Sequence, residues 1–143
     1  MNAEEYSIST DKSKLNIQLI HKFLSEESYW AKGIPLETFK RSVENSMCFG
    51  IYKGNEQAGF ARIVSDHATF AYLADVFVLP DHRNKGLSKI LMEYIIGRTE
   101  LQGLRRWLLG TADAHGLYAK YGFTPLAKPE RMMERHNPNV YSR

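Results

Sequence analysis

The chain has 143 residues, 43% hydrophobic and 24% charged, with a formal net charge of +3. These are values of a globular chain large enough for one core, so residues 1–143 read as a single domain. The long apolar stretches, such as Tyr72 to Pro80, are far short of the ~18 residues a membrane helix needs. The polar, acidic start shows no leader pattern, and one cysteine, Cys48, cannot close an internal disulfide, so a cytoplasmic protein is the expectation.

In chain order, Tyr6 to Ser9 alternates weakly as an edge strand. Leu15, Leu19, Ile20, Phe23 and Leu24 form a helical stripe, with Asp11 and Ser13 as its caps. Ser28 to Gly33 is a loop carrying Tyr29 and Trp30. Pro35 opens a second helix with Leu36, Phe39 and Val43 facing inward, ended by Asn45-Ser46. Met47 to Tyr52 and Gln57 to Val64 form a hairpin across a turn containing Gly54. The apolar run Cys48 occupies makes it a buried small hydrophobe.

After a turn at Ser65 to Ala68, Ala71 to Leu79 is almost wholly apolar, as expected of a central strand covered on both faces. Pro80, lacking an N–H, ends its pairing. Leu87, Ile90, Leu91, Tyr94 and Ile95 then make one helical stripe. Trp107 to Leu109 is a short strand, parallel to the central one because a helix joins them. Asp113 to Lys120 is a short helix stopped at Gly122, and Phe123 to Leu126 and Arg131 to Glu134 read as two further strands. The sum is an α+β fold: a mixed, mostly antiparallel sheet with flanking helices.

The chemistry concentrates at Arg83-Asn84-Lys85-Gly86-Leu87-Ser88, where a strand hands over to a helix. Unpaired amides and the positive helix end make that turn an anion site, and Gly86 lets a ligand approach the backbone. Six basic residues lie between Arg83 and Arg106 against Glu93 and Glu100, a local charge of +4, so the remainder of the chain is −1. A diphosphate fits such a turn, although an ordinary basic joint reads the same way. Arg98, Arg105 and Arg106 fit a solvated face equally well.

Arg83-x-x-Gly86-x-Ser88 after the apolar strand resembles the acetyl-CoA pyrophosphate motif of the GNAT acetyltransferases (GCN5-related N-acetyltransferases), usually Q/R-x-x-G-x-G/A. Ser88 departs from the small apolar residue normal at its position. Ala114-His-Gly-Leu-Tyr118-Ala-Lys-Tyr-Gly-Phe123 resembles that family's A-x-x-F/L-Y-x-K-x-G-F segment. The two lie in the family's order, and the resemblance covers roughly Met47 to Leu126.

The resemblance implies the GNAT fold and an enzyme that moves acetyl from acetyl-CoA to a primary amine of a small-molecule or amino-acid-like acceptor, by direct attack in a ternary complex. It implies backbone contacts to the cofactor from Val76, Phe77, Val78 and the run Arg83, Asn84, Lys85, Gly86, Leu87, Ser88 and Lys89. Tyr118 is implied as the acid for the coenzyme A sulfur, a phenol near pKa 10 remaining protonated at neutral pH. Tyr121 reads as packing. Asp75 heads the candidates for the base, with Asp66, His67, Asp113, His115 and a water chain as alternatives. Tyr29, Trp30, Phe60, Arg62 and Tyr72 suggest an aromatic acceptor pocket with one cation, suited to a carboxylate-bearing acceptor, although each also suits core packing. Acetylation of a protein or aminoacyl-tRNA amine, and a catalytically silent acyl-CoA-binding module, are the alternative functions.

Other chemistries find no support. The five histidines show no metal-ligand spacing, and neither G-x-x-x-x-G-K-[ST] nor G-x-G-x-x-G occurs. No Lys/Arg run is interleaved with aromatics, so nucleic acid is not an expected partner. Oligomeric state is not legible, and since dimers are common in that family a homodimer is among the expectations.

Overall fold

The computed structural model describes residues 5–142. Five strands form one sheet in sequence order: β1 (Tyr6–Ser9), β2 (Met47–Lys53), β3 (Glu56–Ser65), β4 (Phe70–Val78) and β5 (Arg106–Leu109). The first four meander antiparallel, and β5 lies parallel to β4. α1 (Ile17–Lys22) and α2 (Leu36–Glu44) cover one face, α3 (Leu87–Ile96) packs on the other, and α4 (His115–Ala119) follows β5. The chain is therefore an α+β protein with a mixed sheet and flanking helices. Among the described residues no helix is long and apolar enough to cross a membrane.

Each sheet face has its own core. Phe49, Ile51, Ala61, Ile63, Ala71 and Leu73 meet Leu87, Leu91 and Ile95 of α3. Cys48, Phe60 and Phe77 meet Ile20, Leu24, Phe39 and Val43 from α1, α2 and the segment between. Cys48 is free and buried, and burial pushes its thiol above the ordinary range, away from thiolate chemistry.

β4 departs from simple alternation at one point. Phe60 pairs with Phe77 but Arg62 pairs with Ala74, so β4 carries one extra residue, a β-bulge. Asp75 takes a left-handed φ of 56° there. In strict alternation Asp75 would join Leu73 on the α3 face; the bulge turns it to the other face, against Arg62. Val76 and Val78 then return to the α3 core and Phe77 to the α1/α2 core. Gly59 lies opposite, where an added Cβ would come 2.8 Å from the Phe77 carbonyl oxygen.

Several sequence expectations are corrected. The first helical stripe is broken: Asn16, not Asp11 or Ser13, caps α1, and Phe23–Glu27 forms a π-turn. The Ser28 amide donates to the Phe23 carbonyl (3.0 Å) and its hydroxyl to the Leu24 carbonyl (2.6 Å), which widens the last turn. Asp11 instead caps the short turn Lys12–Lys14. β4 is not covered on both faces, since Tyr72 is 41% exposed, and its β3 partner Val64 is 40% exposed beside it.

The helix expected over 113–120 is His115–Ala119. The two strands expected after it are not formed. Phe123 is drawn inward against Trp107 and Tyr118, and Pro125 offers no N–H for a ladder. Pro129–Arg131 is a 3₁₀ turn, and Met133 is 96% exposed.

Gly59→Ala forces its Cβ onto a backbone carbonyl that cannot move without shifting the bulge. It is expected to lower unfolding free energy by about 1–3 kcal/mol, read as a lower urea midpoint at unchanged slope. An unshifted midpoint would show that the two strands have room there.

Candidate functional site

Beyond β4 the chain turns through Pro80–His82, and the Tyr6 hydroxyl lies 2.8 Å from the buried His82 Nδ1, tying the turn to β1. Arg83 folds back so that its Nε donates to the Val78 carbonyl at 2.8 Å. Asn84 (φ 65°) and Gly86 (φ 76°) are left-handed, and together they lead into α3. Asn tolerates that region and Gly occupies it freely.

The result is a run of backbone amides with nothing to bind. Among the described residues, the N–H groups from Asn84 to Lys89 meet no acceptor, and the first to pair is Ile90, with the Gly86 carbonyl at 3.2 Å. α3 has no side-chain cap and no acidic residue in its first turn. A Cβ on Gly86 would meet nothing within 4 Å, so the approach is open. The positive helix end, Arg83 and Lys85 add charge of one sign. This cradle suits a polyanion such as a diphosphate. Arg98, by contrast, pairs with Glu100 at 2.9 Å at the other end of α3 and takes no part.

Beside the cradle the sheet opens. β5 pairs with β4 only from Phe70 to Leu73 and ends at Leu109, so among the described residues Ala74 to Val78 have no strand partner on that side. The Leu79 amide donates to the Ala58 carbonyl (2.8 Å). By two-residue alternation the Phe77 amide also faces β3, whereas those of Val76 and Val78 face the gap. Two of the three expected backbone donors are thus directed into the opening. The third, Phe77, is turned away by register.

Tyr118 on α4 packs into the α3-side core, 7% exposed. Burial, reinforced by the phenol of Tyr29 and the carboxylate of Asp113, pushes its phenol above the ordinary value of 10.0. Tyr121 packs as expected and also donates to the Lys89 carbonyl at 3.2 Å, joining α4 to the cradle.

Tyr29 and Trp30 span the gap from the α1–α2 side. The Ala112 amide, beyond β5, donates to the Tyr29 hydroxyl at 2.9 Å; Trp30 Nε1 donates to Asp75 Oδ1 at 2.9 Å. The two rings meet edge to face, centroids 5.0 Å apart. Arg62 Nε donates to Asp75 Oδ2 at 2.8 Å, so Tyr29, Trp30, Arg62 and Asp75 form one cluster at the bulge.

Tyr72 stands on the same face as Arg62, between Val64 and Leu108, some 10 Å along β4 from the bulge. Phe60 is fully buried core and lines nothing. Asp66 and His67 sit at the opposite end of β4. The Thr69 amide and hydroxyl and the Ala68 and Phe70 amides hold the Asp66 carboxyl well below its usual range, making it a turn-builder. Asp113 and His115 are exposed at the start of α4. Among the described residues no three His, Cys, Asp or Glu side chains gather as a metal set. The Ala112–Tyr29 bond had no signal in the sequence, because it joins residues 83 positions apart.

Residues 17–123 match the sequence profile described as the acetyltransferase (GNAT) family. A Gibberella zeae protein named as an acetyltransferase is 30% identical over 138 residues, covering 81% of this chain and 77% of its own. The crystal structure of a Xanthomonas campestris pv. campestris protein placed in the GNAT family is 54% identical, with a TM-score of 0.95 over 96% of this chain and 97% of that one. A GNAT family acetyltransferase from Elizabethkingia anophelis, solved with acetyl-CoA bound, shares the fold at a TM-score of 0.62 and 17% identity, over 85% of this chain and 78% of that one. With the profile spanning most of the sequence, and the amide cradle and open sheet lying within it, the chain belongs to the GNAT acetyltransferase family.

Proposed function

We propose that this protein is an acetyl-CoA-dependent N-acetyltransferase acting on a primary amine of a small-molecule or amino-acid-like acceptor by direct attack in a ternary complex. The observation that carries the reading is the run of unclaimed amides from Asn84 to Lys89, opening beside the gap left by β5. The acetyl-CoA bound to the Elizabethkingia relative of the same fold supports it. Residues 1–143 are read as one domain working in the cytoplasm, where a single free, buried cysteine is at home.

The donor supplies an acetyl group on a thioester: the amine nitrogen bonds to the carbonyl carbon, the carbon–sulfur bond breaks, and the products are an amide and free thiol. The cradle, with Arg83 and Lys85, holds the diphosphate end. The Val76 and Val78 amides, directed into the gap, would meet the thioester carbonyl and the pantetheine arm, as preorganised donors that need no reorientation during reaction. Tyr118 holds a proton at its hydroxyl for the departing sulfur, and its raised pKa keeps that proton in place through the neutral range. Asp75 accepts the proton of the attacking amine. Each carboxylate oxygen already takes one donor and keeps a lone pair for another.

Two measurements follow. Gly86→Val places a β-branched residue at φ 76° and walls the cradle; it is expected to weaken coenzyme A binding by calorimetry about tenfold or more, a loss of at least about 1.4 kcal/mol. Unchanged affinity would remove the cradle from the reading. Tyr118→Phe is expected to lower kcat about tenfold or more while leaving coenzyme A affinity in place. Because the pKa of Tyr118 is raised, activity should persist through neutral pH and fall only once the phenol ionises, above 10.0. Equal kcat in the two proteins would take Tyr118 out of the mechanism.

A further inference from the structure

The geometry points to an acceptor that carries a free carboxylate next to its amine, an α-amino acid with an apolar side chain, recognised by Arg62 and Asp75 acting as a pair. The inference rests on the acetyl-transfer reading above and names the acceptor class for that same site.

Asp75 is held in a left-handed conformation that most residues avoid. Such strain persists where the surrounding structure requires it and gathers at functional sites. What the distortion achieves here is to put a carboxylate on the Arg62 face, one residue before the Val76 amide that opens into the gap. The side chains of Arg62 and Asp75 are 18% and 9% exposed, so the pair is largely withdrawn from water.

Arg62 meets Asp75 through Nε alone. Its guanidinium has five N–H donors, and among the described residues neither Nη group has an acceptor. They are not sealed off either, since the buried side-chain nitrogens and oxygens without partners do not include them. A largely buried cation with its planar edge unused is a carboxylate receptor in waiting, because that edge matches a carboxylate oxygen for oxygen.

Charge balance selects among amines. The Arg62–Asp75 pair is neutral as it stands, so a plain alkylamine would arrive as an uncompensated cation and a plain acid as an uncompensated anion. Both are costly where solvent is scarce. An α-amino acid brings both charges on adjacent carbons: its ammonium meets the spare lone pairs of Asp75 and its carboxylate meets the Nη edge of Arg62. The acceptor amine then stands next to the bulge and can pass its proton to Asp75. Beside the pair, Tyr29 and Trp30 are 64% and 42% exposed, and Tyr72, further along the same face of β4, is 41% exposed, open aromatic surface that suits an apolar side chain.

The test measures thiol release from acetyl-CoA with matched acceptors: L-phenylalanine against phenethylamine, L-tryptophan against tryptamine, and L-leucine against isoamylamine. The carboxylate-bearing member of each pair is expected to have a kcat/KM at least about tenfold higher. Arg62→Gln should erase that preference and Arg62→Lys should keep part of it. Equal or reversed preferences in the unmodified protein would overturn the inference, as would a preference that survives Arg62→Gln in a protein shown by its melting curve to be folded. Coenzyme A calorimetry on the same sample separates the two readings. Binding without turnover of any of the six amines sinks the acceptor class, whereas no binding sinks the acetyl-transfer reading itself.

Discussion

The arrangement depends on one extra residue in β4. Inserting Asp75 shifts the register so that Val76, Phe77 and Val78 keep their proper core faces while a carboxylate is delivered where none would otherwise stand. Without the bulge, strict alternation would send Asp75 into the apolar layer beneath α3, where an unpaired charge is costly. Gly59 is the complementary concession on β3, leaving the bulged strand room to approach.

From that point the site follows by short steps. The carboxylate gathers Arg62 and the Trp30 indole, and Trp30 brings Tyr29, whose hydroxyl reaches the chain beyond β5. The sheet, parted where β5 stops, is thus bridged on the α1–α2 side by two aromatic rings and left open elsewhere. The π-turn at Phe23–Glu27 lies immediately upstream of those rings, and the Ser28 bonds that make it fix where the loop begins. On the donor side a separate principle operates: a left-handed entry at Gly86 and an uncapped, acid-free helix start. One end of the site is built from side-chain charge, the other from main-chain dipoles.

Much of this was legible in the sequence, for identifiable reasons. The apolar runs on either side of the turn at Gly54, and the change to helical period at Leu87, are strong local patterns. They placed the meander, the motif helix and the parallel β5. The two motifs carried the cradle and Tyr118. What escaped depends on long-range geometry. An extra residue in a strand whose neighbours are all apolar leaves periodicity almost undisturbed, so the bulge could not be seen. Arg62 and Asp75 were each singled out, but as separate residues; their pairing depends on register. Phe60 and Trp30 are both aromatic, yet one is sealed and the other open. The segments at Phe123 and Arg131 have strand-like composition without strand partners, and composition alone does not supply a neighbour.

The bond from Arg83 Nε to the Val78 carbonyl carries a consequence for how a ligand arrives. It fastens the basic turn to the end of the sheet before anything is bound, so little chain ordering remains to be done on association. Capture of a multiply charged partner by such a preset receptor is governed by diffusion and long-range attraction, which counterions screen. Ionic strength would then act on the rate of encounter far more than on the lifetime of the complex.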